Sequence, residues 1–337
     1  MTCPACTSSE YTLSGKIEGY VQGTHFSILQ CAACGTKYAD PHREDPRVYE
    51  YIYRNAKDTP GYARYYDYAQ RVAKFRSPIK FLIRREPAYY AVYKTITALR
   101  RTDLRILEIG CGMGYFTFAL NRAGYSCEGI DISEEAITRA RKWFGPYFRT
   151  MNIFNIPDLP EEERYDVIFM TELIEHVEDP SAFIAAAKRL LTAGGMLIVT
   201  TPNKDWYQAP LLWASDIPPV HLSWFSEDGV RRLGARHGLN AQLFNFMLFN
   251  IVHGSILWPF KEKFSREPLF TSDGKTLFPS HHKSPLRLKL EALHLYGAAL
   301  AFHILLLKLR EIPTVLAHPP ALSLSRSNSL VATYTER

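Results

Sequence analysis

No stretch of this 337-residue chain reaches the ~20 consecutive apolar residues that a bilayer-spanning helix needs. The opening residues, MTCPACTSSE, lack the apolar core of an export signal, so a cytoplasmic protein is expected. Internal repeats and low-complexity tracts are missing, which argues against solenoids and disordered arms. Charge is not strongly one-sided either: a formal net charge of +6 permits an anionic partner without requiring one. Cysteine is scarce, six in all, and without an export signal it points to metal ligation or free thiols rather than disulfides. What remains is an ordinary apolar fraction, 47%, in a chain long enough for one large α/β domain and a smaller module.

Four of the six cysteines form a pattern, Cys3-Pro-Ala-Cys6 and Cys31-Ala-Ala-Cys34. Each CxxC bends sharply, so two thiolates can face one ion, and four complete a closed tetrahedral Zn²⁺ site. Gly35 follows the second pair, where a positive φ is inexpensive. The first pair lacks such a glycine. Between them, KIEGYVQGTHFSILQ reads as two short strands around Gly23. Residues 1–40 are therefore expected to be a zinc ribbon, whose folding energy comes largely from the metal. It acts either as a structural clip or as a docking surface for RNA or a carrier. Cys111 and Cys127 read as small buried residues.

Residues 41–101 are dense in tyrosine (YEYIYRNAKDTPGYARYYDYAQ) and in cations, among them Arg71, Lys74, Arg76, Lys80, Arg84, Arg85, Lys94, Arg100 and Arg101. Pro60, Pro78 and Pro87 divide this connector into short helices. It serves as a solvated amphipathic link, a lid over a site, or a surface for phosphate, anionic lipid or a nucleic acid strand.

A glycine loop follows. The apolar strand Leu104 to Ile109 runs into Gly110-Cys-Gly112-Met-Gly114 and then a helical pattern, and a second strand, SCEGIDI, ends in Asp131. Glycines let backbone amides approach a ligand at a helix N-terminus, and an acid at the second strand's end can accept from ribose hydroxyls. The G-x-G-x-G spacing differs from the G-x-G-x-x-G of dinucleotide folds. Glu108, just before the loop, would repel a pyrophosphate and attract a cationic amino group. S-adenosylmethionine meets these requirements.

From Leu104 to Leu248 the chain resembles class I S-adenosylmethionine-dependent methyltransferases, through ILEIGCGMGYF, EGIDIS, YDVIFMTELIEHVEDP and LLTAGGMLIVTTPN, with NSLVATYTER resembling the last, antiparallel strand. The resemblance implies a doubly wound, seven-stranded, mostly parallel sheet with helices on both faces, its core spanning residues 102–248 and 323–337. The strand–helix alternation independently predicts the same class. By position, the resemblance assigns Glu108, Gly110, Gly112, Gly114 and Asp131 to the cofactor and puts Ile132 near the adenine. Asn152 stands where the family often has Asp. No Asn/Asp-Pro-Pro-aromatic motif follows the fourth strand. In the family that motif marks amino acceptors, so oxygen or carbon is the expected acceptor.

The segment FMTELIEHVEDP carries the remaining chemistry. If a helix begins at its start, Glu172, Glu175 and His176 share one face at i, i+3 and i+4. They either start that helix, with acids suited to its N-terminus, or supply His176 as a general base, or bind a divalent cation. His221, in PPVHLSWFSEDG before the next helix, is expected at the same carboxyl edge of the sheet. The set Glu, Glu, His and a later His resembles the ligands of small-RNA 3′-terminal 2′-O-methyltransferases. ELIEHVEDP and HLSWFS are similar to polyprenyl dihydroxybenzoate O-methyltransferases. Both groups methylate one of two adjacent hydroxyls. Such ligands suit Mg²⁺, Mn²⁺ or Fe²⁺, a Lewis acid for a diol. The imidazoles, taken at their ordinary pKa of ~6.5, would have to be neutral to ligate.

Residues 249–322 are expected to form an inserted helical cap, including ALHLYGAALAFHILLLKL flanked by Arg287, Lys289, Lys308 and Arg310. It packs on the core, walls an apolar acceptor, or contacts a membrane surface peripherally. Together these features predict an O-methyltransferase acting on a small, sugar or lipid-linked acceptor, with or without a divalent cation. The alternatives are an RNA methyltransferase, acting on a ribose 2′-hydroxyl or a base, and a non-catalytic S-adenosylmethionine-binding adaptor.

Overall fold

The computed structural model of the protein describes residues 1–206, 216–253, 268–278 and 325–336. Strands β1 (Tyr11–Glu18), β2 (His25–Cys31) and β3 (Lys37–Asp40) form an antiparallel meander. Helices α1 (Pro46–Arg54), α2 (Ala63–Arg71), α3 (Pro78–Ile83) and α4 (Pro87–Ala98) follow. Pro78 and Pro87 open their helices, where a missing N–H costs nothing.

The core then alternates strand and helix: β4 (Arg105–Ile109), α5 (Tyr115–Arg122), β5 (Ser126–Asp131), α6 (Glu134–Phe144), β6 (Phe148–Thr150), β7 (Tyr165–Thr171), α7 (Pro180–Arg189) and β8 (Leu191–Pro202). A two-residue strand β9 (Ser223–Trp224) precedes α8 (Glu227–Ala235), β10 (Leu239–Leu243), α9 (Met247–His253) and β11 (Ser329–Glu336). Local chemistry sets the helix starts. Ser133, Asp179 and Ser226 each accept a backbone N–H from the first turn of the helix they precede.

The main sheet has the order β10-β11-β8-β7-β4-β5-β6 and is parallel except for β11, which runs antiparallel to both neighbours. This is the expected doubly wound, seven-stranded class. Strand order reverses beside β4, which opens the crevice where ligands bind in such sheets. One core face packs α2 to α5 against the sheet. The opposite face carries Leu107, Ile168 and Leu197 and also packs Cys3, Leu29 and Tyr38, so the N-terminal module is part of the core wall.

The apolar runs expected to build the helical cap lie largely outside the described residues. Within residues 268–278 no helix forms. Phe270 instead bridges Val21 and Thr276 and is fully buried on the N-terminal sheet. Among the described residues no helix is long and apolar enough to cross a membrane.

Candidate active site

Strand β4 delivers Glu108 to the carboxyl edge of the sheet, where it is buried. Its carboxylate accepts from the Thr117 hydroxyl on α5 and, at 3.4 Å, from Thr171 at the end of β7. Burial pushes its pKa up to about 8. The glycine loop closes onto β5: the Gly110 and Cys111 N–H groups donate to the Ile130 carbonyl at 2.8 and 3.0 Å. Gly112 (φ +49) has open space where a Cβ would stand, whereas at Gly114 a Cβ would collide with the Phe148 ring at 2.5 Å. Asp131 accepts from the Gly112 N–H at 2.8 Å and the Ser133 N–H at 2.9 Å, and burial raises its pKa. Ile132 is exposed at the cavity lip, and the Asn152 amide oxygen accepts from the Phe154 N–H at 3.0 Å.

The segment after β7 is not a helix. Glu172 has φ +51, an uncommon conformation for a residue with a side chain. Its N–H is shared between the carbonyl (3.2 Å) and hydroxyl (3.1 Å) of Thr200, and the Thr200 hydroxyl donates to its carboxylate at 2.8 Å. These bonds remove Glu172 from helical geometry. Pro180, disfavouring a helical residue before it, delays α7 until that position. Residues 173–176 form a turn closed by the His176 N–H on the Leu173 carbonyl at 3.0 Å.

That turn, rather than a shared helix face, brings Glu175 and His176 together. With His221 they offer ligand atoms all within 4.8 Å of one another, and Glu172 lies outside this group. The two imidazoles stand nearly perpendicular, with centroids 4.6 Å apart. His176 donates from Nδ1 to the Val220 carbonyl at 2.7 Å, which leaves Nε2, 3.8 Å from Glu175 Oε1, as its free lone pair. Both oxygens of Glu175 and Nδ1 of His221 are buried without a hydrogen-bond partner among the described residues; the Thr201 hydroxyl, also unpartnered, lies near enough to favour the charged form of Glu175 without completing a bond.

Burial and then the neighbouring Glu172 charge push Glu175 well above the carboxylate range, and burial holds Glu172 at about 7. The same burial pulls both imidazoles down to about 3. The expectation of titration near 6.5 is thus corrected: desolvation keeps both rings neutral near pH 7.

One cavity of about 1280 Å³ touches both regions, the glycine loop with Asp131 and the turn with His221. Its other wall comes from the connector, through Tyr49, Tyr62, Tyr65, Tyr68 and Arg64. Arg64 donates to the Tyr65 hydroxyl at 2.6 Å. The connector's exposed cations Arg71 and Arg101 are taken up in local pairs with Asp67 and with Asp103 and Asp166. Sequence reasoning missed Thr117, Thr171, Thr200 and the Val220 carbonyl. Only the Thr-Thr-Pro-Asn end of β8 offered a signal, as a polar break in an apolar strand.

Away from the cavity, Cys3, Cys6, Cys31 and Cys34 converge, with sulfurs 3.7 Å apart for Cys3–Cys34 and 3.5 Å for Cys6–Cys31. A tetrahedral Zn²⁺ with Zn–S bonds of ~2.3 Å requires sulfurs roughly 3.8 Å apart, so the donor set fits. The shared hydrogen bond raises Cys3 and lowers Cys34. Cys111 and Cys127 are buried and lie outside this cluster.

Among curated relatives, the mitochondrial ubiquinone biosynthesis O-methyltransferase of Candida albicans is 33% identical over 32% of this chain and 35% of its own length. The human mitochondrial enzyme of the same name is 30% identical over 46% of each chain. The chain thus spans about a third to a half of the length of these relatives. Among solved structures the chain is similar to the plantazolicin methyltransferase BpumL with SAH (16% identical, 86% of this chain and 96% of that one, TM-score 0.42). Another is the magnesium protoporphyrin IX methyltransferase ChlM of Synechocystis PCC 6803 with SAM (18% identical, 59% and 89%, TM-score 0.39). Residues 71–242, just over half of the chain, match a family described as a methyltransferase domain, and with its glycine loop, acid-tipped second strand and strand order the chain belongs to that family.

Proposed function

We propose that the protein transfers a methyl group from S-adenosylmethionine to a hydroxyl of a small, sugar or lipid-linked acceptor, with a divalent cation held by Glu175, His176 and His221. One observation carries the reading: the unpartnered Glu175 carboxyl lies beside two neutral imidazoles in the cavity that also holds the glycine loop and Asp131. A buried carboxyl without a partner is costly unless a ligand compensates it. Two neutral nitrogens and a carboxylate suit Mg²⁺ or Mn²⁺. The relatives named ubiquinone biosynthesis O-methyltransferase support oxygen as the acceptor. A structural zinc at the four cysteines is part of the proposal.

The cofactor pocket fits its ligand by chemistry. Asp131 presents a carboxylate to ribose hydroxyls, Glu108 one to the amino group, and Gly112 leaves backbone open to the cavity. When bound, S-adenosylmethionine supplies an activated methyl group, and a divalent cation supplies Lewis acidity toward adjacent hydroxyls. The chain's own residues do the rest. The glycine loop and Asp131 fix the donor end, and the turn fixes the acceptor end, so the reacting atoms are aligned. Glu172, held near 7, is poised to take the acceptor's proton. His176, pulled to about 3, is a weak base near neutrality and serves better as a ligand.

The test is methyl transfer from labelled S-adenosylmethionine to simple catechols and to mixed RNA at low salt. Turnover on a catechol that is lost in EDTA and restored by Mn²⁺ supports the proposal. Turnover that survives chelation removes the cation, and methylation of RNA alone replaces the acceptor class.

A further inference from the structure

We infer that the four-cysteine module is the positioning element for His221, so that the thiolate site governs the cation end of the cavity and not the donor end. The inference rests on the cation reading above but is carried by different contacts.

Residues 217–226 form a layer between two partners. On the outer side, β9 is the fourth strand of the N-terminal sheet, with Trp224 opposite Lys37 and Ser223 opposite Tyr38. The Ala39 N–H donates to the Leu222 carbonyl at 2.9 Å, and the Tyr20 N–H donates to the Pro218 carbonyl at the same distance. Ser226 donates from its hydroxyl to the carbonyl of Cys34, one of the four thiol residues, at 2.5 Å. Ile217, Val220 and Trp224 are buried in the module's own apolar cluster with Tyr20, Phe26 and Ile28.

On the inner side, the same segment holds the turn. The Leu222 and Ser223 N–H groups donate to the Glu175 carbonyl at 2.8 and 3.1 Å, and the Val220 carbonyl fixes the His176 ring. His221 therefore sits on a strip bonded to the module before and after it, at Pro218 and Leu222. The strip in turn sets the relative position of all three candidate ligands. A short strand such as β9 has no stability of its own and exists because β3 pairs with it. The glycine loop takes its bonds from β5 instead. The module also packs on the apolar face of β4, at Leu107 and Ile109, but the amides of β4 are held by pairing with β5 and β7, so loosening the module moves the ligands first.

Hydrogen exchange on the full-length protein tests this, comparing wild type with Cys31→Ser/Cys34→Ser and with Ser226→Ala. Both variants are expected to speed exchange at least tenfold in peptides covering 217–224, while peptides of β4 and β5 keep their protection and S-adenosylhomocysteine affinity stays within about twofold. The cap that Ser226 gives α8 is read separately, in peptides 227–235. Mn²⁺ affinity, measured by electron paramagnetic resonance because Mn²⁺ avoids an all-thiolate site, is expected to fall at least fivefold. Unchanged protection of 217–224 in both variants overturns the inference. So does parallel loss in β4 and β5, which would make the module a general stabiliser. Wild-type protein that binds no Mn²⁺ would remove the cation reading, and the exchange comparison would still decide the positioning role.

Discussion

Glu175→Met separates a functional carboxyl from a structural one by the sign of its effect. The Glu175 side chain is fully buried, and neither oxygen has a hydrogen-bond partner among the described residues. Burial disfavours its charged form and pushes its pKa well up, and a buried polar group left unpaired costs about 1–3 kcal/mol. Methionine has similar length and no polar atom, and it bends to fit irregular space. The variant should therefore be more stable than wild type in a chelator. At roughly 2–4 °C per kcal/mol for a domain of this size, the melting temperature rises by several degrees. Mn²⁺ should then protect wild type and leave the variant unmoved, reversing or erasing the difference. Thermal unfolding followed by calorimetry, with EDTA or Mn²⁺, reads both effects. A variant that melts below wild type in EDTA would show instead that the carboxyl supports the fold.

Asp131→Ala should weaken S-adenosylhomocysteine binding about tenfold or more, since a buried polar partner is worth roughly 1–3 kcal/mol; calorimetric titration with unchanged affinity would remove Asp131 from the ribose site. Glu108, pushed from 4.5 to about 8 in the folded chain, holds a proton at pH 7. The ligand-free protein should therefore lose stability as pH rises between those values, and a cationic amino group binding beside Glu108 should release up to about one proton. Titrations in two buffers of different ionisation enthalpy detect that release, and none at pH 7 would take Glu108 out of contact with the amino group. Elemental analysis should find about one zinc per chain, as four thiolates hold one ion; metal-free, folded protein with four reactive thiols would contradict it.

The fold was legible because parallel strands buried on both faces read as apolar runs, as YDVIFM and MLIVTT do, and because the G-x-G-x-G loop marks where the first strand meets its helix. NSLVATYTER was recognisable as the antiparallel β11 despite its distance from the rest of the sheet. The shape of the candidate site was less legible. Spacing of i, i+3 and i+4 fits a helix as well as a turn. What decides between them is Thr200, which captures Glu172 from another strand. Thr36 and Ser226 meet although they lie 190 residues apart, and nothing in a two-residue strand announces its partner. The imidazole pKa values were also beyond reach, because desolvation is a property of the packed site and not of the residue type.

A methyl transfer assisted by a cation depends above all on where that cation sits relative to the donor. An anomalous difference map from crystals grown with S-adenosylhomocysteine and Mn²⁺ measures this in one experiment. Apart from the zinc at the four cysteines, one strong peak is expected, bounded by a Glu175 carboxylate oxygen, His176 Nε2 and a ring nitrogen of His221 at roughly 2.0–2.3 Å, with the cofactor sulfur facing it across the cavity. Clear cofactor density against the glycine loop and Asp131, with no peak between those three side chains, would contradict it.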